Sequence, residues 1–280
     1  MSGRITIAIL SENTSYRHDL RAEHGLSVWI EAYGTNILFD TGQSGAFAAN
    51  ARALGIDLAA AQHLVLSHGH FDHTGGIPRA LGLSRGMRVH LHPEAIRPKY
   101  ALPSPDGARY IGIPGASLYA LDNNLTRCRF HTRAERIAEH VYLTGFVPRK
   151  TTFEKIDEPF ALDRHGACPD TLADDQALWV ETPDGLLVVL GCAHSGVVNT
   201  MEHIRAESGR SDIRAIIGGM HLENAGPLVT ARTAEALASC PLSLVSPNHC
   251  TGETACAVFQ EQFGGIYRPG PAGTVFSFPA

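Results

Sequence analysis

Residues Ser67–Gly76 read SHGHFDHTGG. Three histidines and an aspartate crowd between His68 and His73, directly after the apolar run His63–Leu66. That run reads as a short buried strand ending in the histidine segment. His68 and His70 lie two apart, so in extended backbone their side chains share a face. Asp72 and His73 follow once the chain turns. A tight loop can thus aim two imidazoles at one point, and a carboxylate with an imidazole at another. That is the ligand inventory of two adjacent metal sites. The mixed nitrogen and oxygen set suits Zn²⁺ or iron, and also Mn²⁺. Gly69, Gly75 and Gly76 give the backbone the freedom such a loop needs.

Outward from this segment, strand and helix patterns alternate, which is the grammar of an α/β fold. Strands are predicted at 5–10, 26–31, 36–39, 63–66, 89–91, 177–181, 186–190, 213–217, 242–245 and 274–278. Helices are predicted at 46–54, 78–83, 197–208, 230–239 and 254–263. Between about residues 93 and 173 the pattern loosens into a Pro- and Gly-rich stretch, read as insertions and connecting strands that cap a site. A faint repeat relates WIEAYGTNILFDTGQSG from Trp29 to WVETPDGLLVVLGCAHSG from Trp179. In this alignment His221, in AIIGGMH, is the counterpart of His70, in LVLSHGH. The repeat suggests two similar halves packed sheet to sheet with helices outside, and it gathers their polar strand ends on one rim.

The 280 residues are 44% hydrophobic and 18% charged, enough for a substantial core. A formal net charge of -5 without a basic block argues against nucleic acid as the main partner. No apolar run approaches the roughly 20 residues a membrane helix needs. The first residues read as a strand and not as a signal peptide. Six scattered cysteines with no CxxC pair read as free thiols in a reducing cytoplasm. Expected, then, is a cytoplasmic protein acting on a small molecule, with no nucleic-acid or membrane partner; a homo-oligomer is compatible with all of this.

The segment HGHFDHTGG resembles the HxHxDH motif of the metallo-β-lactamase-fold superfamily. ILFDTG, Ile37–Gly42, is similar to the strand-end aspartate that precedes the motif there. AEHGLSVWIE, DDQAL, LGCAHSGVVN, GGMHL and NHCTG resemble a subgroup typified by a methanopterin-pathway dihydropterin synthase. The resemblance covers about residues 5–274. It implies a single domain over 1–280 with the capping region at about 93–173, built as a four-layered αββα sandwich of two mixed β-sheets. It also implies two divalent cations, Zn²⁺ first and Fe or Mn as alternatives. His68, His70, Asp72 and His73 would be ligands.

The superfamily pattern completes the shell with one further histidine, a bridging aspartate and a late histidine. This chain departs from it. Cys192 stands in place of the bridging aspartate, and no histidine occurs near 171–175. His194 is the candidate that fills the gap. His249 resembles the late histidine of the second metal, with His221 its rival or else a proton shuttle. Asp40 is expected to orient a ligand histidine. Asp174 and Asp175 read as supporting groups, a helix cap or substitute ligands. Glu12, Asn13 and His24 fall in loops that the resemblance puts near the mouth. His90 and His92 read as structural, and Arg97, Lys99 and Arg109 as solvated charge in preference to partners of a phosphate or carboxylate.

These readings imply a metallohydrolase that turns a metal-activated water on an ester, lactone, amide or phosphoester. Asp72 would orient the nucleophile and His221 would protonate the leaving group. The subgroup resemblance adds a pterin-related synthesis. The alternatives are a di-iron redox protein and a non-catalytic ligand-binding protein that kept the fold; motif-level likeness does not choose among them.

Overall fold

The computed structural model describes residues 3–102, 107–155 and 159–280. In chain order the strands are β1 (Arg4–Ser11), β2 (Ser27–Ala32), β3 (Thr35–Phe39), β4 (His63–Val65), β5 (Arg88–Leu91), β6 (Tyr100–Ala101), β7 (Arg109–Tyr110), β8 (Cys128–Phe130), β9 (Glu135–Ala138), β10 (Val141–Leu143), β11 (Phe160–Ala161), β12 (Leu178–Thr182), β13 (Gly185–Leu190), β14 (Ile213–Gly219), β15 (Leu244–Asn248) and β16 (Val275–Pro279). The helices are α1 (Ala46–Ala53), α2 (Phe71–Thr74), α3 (Ile77–Leu83), α4 (Gly115–Asp122), α5 (Val197–Ser208), α6 (Pro227–Ala238) and α7 (Glu253–Phe263).

Two large sheets carry the molecule. One runs β16-β1-β2-β3-β4-β5-β8 and the other β15-β14-β13-β12-β10-β9. Both are mixed: β1, β2 and β3 pair antiparallel, while β3, β4, β5 and β8 run parallel. In the second sheet β12 and β13 pair antiparallel, and β13, β14 and β15 run parallel.

Alternation along the strands explains the layering. Ile5, Ile7, Ile9, Val28, Ile30, Ile37 and Phe39 face one way and meet Leu178, Val180, Leu187, Val189 and Ile217 between the sheets. The intervening Ala8, Trp29 and Leu38 face out and pack with Phe47 of α1 and Ile77 and Leu81 of α3. On the far side Leu186, Val188 and Ile216 pack with Met201 and Ile204 of α5, Leu237 of α6 and Phe259 of α7. Strands buried on both faces need apolar residues at every position, which is why these runs lack a clean polar alternation. The result is the four-layered αββα sandwich that the sequence predicts.

The two halves follow the same course. A hairpin (β2–β3, β12–β13) leads through a loop to a helix (α1, α5) and then to a parallel strand (β4, β14). The region 93–173 is less separate than its loose pattern suggests. Its β8 forms an edge of the first sheet, and β9 and β10 extend the second. The remainder builds the three-stranded sheet β11-β6-β7, whose Phe160 ring lies edge-on to His70 at 5.4 Å between centroids.

Candidate metal centre

All the groups that matter sit beyond the carboxyl ends of parallel strands. His68–His73 follow β4, Cys192 and His194 follow β13, His221 follows β14 and His249 follows β15. Asp40, Ala193, His221 and His249 each have left-handed backbone, with φ of 57°, 54°, 50° and 53°. Left-handed backbone is uncommon for residues with a Cβ, and such strain clusters at functional sites. The loop after β4 also needs its glycine: a methyl group at Gly69 would overlap the carbonyl oxygen of Ala95.

Two groups of ligand atoms converge. In the first, His68 Nε2 lies 3.0 Å from His70 Nδ1 and 3.3 Å from His194 Nε2. In the second, His73 Nε2 lies 3.1 Å from His249 Nε2, and Asp72 Oδ2 lies 3.2 Å from His249 Nε2 and 3.6 Å from His73 Nε2. Cys192 belongs to both. Its Sγ is 3.1 Å from His73 Nε2, and it clusters with His68 and His194 as well as with His73 and His249. For a tetrahedral cation with metal–nitrogen bonds of about 2.0–2.1 Å, ligand nitrogens stand roughly 3.3 Å apart. The observed spacing fits that edge length.

The protonation states fit as well. Burial pushes His68 and His194 well below the ordinary imidazole value and takes His70 down to about 4. These rings are therefore neutral, the state in which an imidazole can offer a lone pair to a cation. Burial presses the Asp72 carboxyl upward, but His73, with hydrogen bonds from His24 and His249, holds it well below its ordinary value. Burial also depresses His73, yet the carboxylates of Asp40 and Asp72 outweigh it and raise the ring to about 9. That pair of carboxylates draws positive charge to the second position. Burial pushes the Cys192 thiol up, so its thiolate needs an adjacent cation.

The far nitrogens of the candidate ligands are mostly pinned. His73 Nδ1–H donates to Asp40 Oδ2 at 2.7 Å. His68 Nδ1–H donates to Ser67 Oγ at 2.9 Å, and the Ser67 hydroxyl donates to Asp40 Oδ2 at 2.6 Å. His249 Nδ1–H donates to Asn13 Oδ1 at 3.0 Å. Each bond turns the other ring nitrogen, Nε2, toward the centre. His70 Nε2 and His194 Nδ1 are buried without a hydrogen-bond partner among the described residues.

Other expected residues fall around this core. Asp175 does not join the ligand groups; its Oδ2 accepts the Ser195 N–H at 2.8 Å and so braces the turn bearing His194. His24 Nε2 stands 3.3 Å from Asp72 Oδ2 at the exposed side. His221 is set apart from the ligand groups, with its ring centroid 4.1 Å from that of His194. Both line a cavity of about 240 Å³ with Phe153, Lys155, Met220 and Leu222.

Lys99 corrects an expectation. Read as solvated charge, it is instead buried, with Nζ donating at 2.8 Å to both Asp170 and Asp174. Asp174 also accepts the Gly69 N–H at 2.7 Å, so the triad clamps the loop between His68 and His70. No local signal betrays this, because the partners lie 71 and 75 residues away. Arg97 remains exposed beside Glu94, and Arg109 lies over the Phe71 ring.

The family profile described as the metallo-beta-lactamase superfamily matches residues 20–166. The chain belongs to the metallo-beta-lactamase superfamily. Its solved structural relatives include a metal-dependent hydrolase of the beta-lactamase superfamily, 32% identical with a TM-score of 0.83, covering 99% of this chain and all of that one. An uncharacterized protein of Methanocaldococcus jannaschii is 31% identical, over 93% of this chain and 96% of its own. A 7,8-dihydropterin-6-methyl-4-(beta-D-ribofuranosyl)-aminobenzene-5'-phosphate synthase of the same organism is 27% identical, over 98% of this chain and 97% of its own. The human short-form tRNase Z, at 12% identity and a TM-score of 0.55, shares the fold. The metallo-beta-lactamase fold implies divalent-metal binding, and the histidine, cysteine and aspartate clusters provide the donors.

Proposed function

We propose that this superfamily member is a metal-dependent hydrolase of a small-molecule ester, lactone, amide or phosphoester. The observation that carries the reading is the convergence of two donor groups on the shared Cys192 sulfur. One cation would be held by His68, His70, His194 and Cys192, the other by Asp72, His73, His249 and Cys192. Imidazole, carboxylate and thiolate together favour Zn²⁺. When bound, such cations acidify water and polarise the bond under attack.

The chain's own residues do the rest. Asp72 keeps a full negative charge at the centre and orients the attacking group. His24, within 3.3 Å of Asp72 Oδ2 and open to solvent, can carry protons between the centre and bulk water. His221 lines the cavity beside His194, where it can hand a proton to a leaving group. Phe153, Met220 and Leu222 exclude water from that side, and Lys155 offers a cation to an anionic substrate group. The full-length likeness to the pterin-pathway synthase favours a second reading, a condensation in the same site. Free thiols among all six cysteines support a cytoplasmic setting, and no helix of the described residues is long and apolar enough to cross a membrane.

Turnover of ester, lactone and phosphoester panels by zinc-reconstituted protein tests the reading. Activity should vanish on chelation and return with metal. His221→Gln should keep its metal while kcat falls by about a hundredfold or more. Unchanged kcat in that variant would remove His221 from the chemistry. Activity that survives complete metal removal would overturn the hydrolase reading itself.

A further inference from the structure

A second cluster of histidines lies at the other end of the first sheet. His63 opens β4, and the histidine loop that begins at His68 leaves from beyond its far end. His63 Nδ1 is 2.9 Å from His90 Nε2. His90 Nδ1 is 2.8 Å from His131 Nε2, and His131 Nδ1 is 2.8 Å from Glu135 Oε2. All three rings are buried, whereas the Glu135 carboxylate is largely open to solvent. The chain crosses from β4 over β5 to the turn after β8 and ends at the first residue of β9.

With all three rings neutral, the direction of every bond in this chain follows from its last member. A carboxylate only accepts, so His131 must place its proton on Nδ1. A neutral His131 then accepts at Nε2, so His90 carries its proton on Nδ1 and accepts from His63 Nδ1–H. His63 is left with a bare lone pair on Nε2, which makes no hydrogen bond among the described residues. Burial lowers the His63 pKa and takes that of His90 down to about 3.

His63 lines a hollow of about 450 Å³ with Gln62, Ser84, Arg85, Gly86 and Arg88. Neither arginine has an ion-pair partner among the described residues, and no carboxylate lines the hollow. We propose that this hollow binds an oxyanion that still carries a proton, hydrogen phosphate being the fitting case. Arg85 and Arg88 hold the charge, and the ligand's own O–H donates to His63 Nε2. The relay to Glu135 keeps that nitrogen an acceptor. Sulfate has the same charge but no proton, and sets an oxygen lone pair against the nitrogen lone pair. A simple cationic patch would treat the two dianions alike.

The test is titration of metal-loaded protein with phosphate or sulfate near pH 8, following the amide NMR signals of Arg85, Gly86 and Arg88. Reading those amides separates this hollow from anion binding at the metal centre. We expect saturable shifts with phosphate and affinity for sulfate weaker by about tenfold, the worth of one charge-assisted hydrogen bond. Arg88→Ala, at an exposed position, should abolish the shifts. Glu135→Gln, also exposed, should narrow the phosphate preference by releasing the tautomers. Equal affinities for the two anions, or no saturable shift with phosphate up to about 10 mM, would overturn the proposal.

Discussion

Cys192→Ala is expected to lose metal from both positions at once. Its sulfur belongs to the His68–His194 group and to the His73–His249 group, so one substitution removes a donor and a negative charge from each. Even outer partners of metal ligands cost about 10–100-fold in affinity, so a shared ligand should exceed the upper figure. Metal content after dialysis, measured by elemental analysis, should fall from about two ions per chain toward none, with activity falling alongside. Cys192→Asp makes the complementary case. A carboxylate keeps the charge but is a harder donor, so binding should recover while preference moves from Zn²⁺ toward Mn²⁺. Full metal content in Cys192→Ala would show that the thiol is a bystander.

Lys99→Met should carry the largest stability cost. The ammonium is buried between Asp170 and Asp174. Burial alone would lower the Lys99 pKa, but the two carboxylates overcome this and raise it. Removing the cation strands two carboxylates in the interior, a loss of about 3–5 kcal/mol. Urea unfolding of the metal-free protein should register it as a shifted midpoint without a changed slope. The sign with pH follows from Asp174: burial pushes its carboxyl up, but Lys99 prevails and the folded value lies below the ordinary one. A depressed carboxyl contributes stability above its unfolded value of about 3.9, and that contribution is lost as acid protonates it. The wild-type advantage over Lys99→Met should therefore hold at neutral pH and shrink below about pH 4. A difference under about 1 kcal/mol at pH 7 would mean that the clamp on Gly69 is energetically idle.

What was legible in the sequence was local. His68, His70, Asp72 and His73 lie within six positions, so strand and turn geometry alone bring them together. The layered fold was legible because β2–β3–α1–β4 and β12–β13–α5–β14 repeat one course and because their strands are apolar on both faces. Cys192, His194 and His249 have no such grammar; only likeness to the family pattern drew them to the loop, more than a hundred residues away. Lys99 sits in a charged, proline-rich stretch that looks solvated, and its burial depends on carboxylates that fold in from far along the chain. For the same reason β8, β9 and β10 looked like connections, since edge strands of three or four residues are defined by their partners. Asp175, read among other roles as a supporting group, holds the turn of His194 through the Ser195 N–H.

The most direct measurement is anomalous X-ray diffraction at the metal edge from crystals of zinc-loaded protein. It should show two peaks, one among His68, His70 and His194 and one among Asp72, His73 and His249, each about 2.3 Å from the Cys192 sulfur. Peaks elsewhere, or a Cys192 sulfur outside bonding distance of both, would contradict the account.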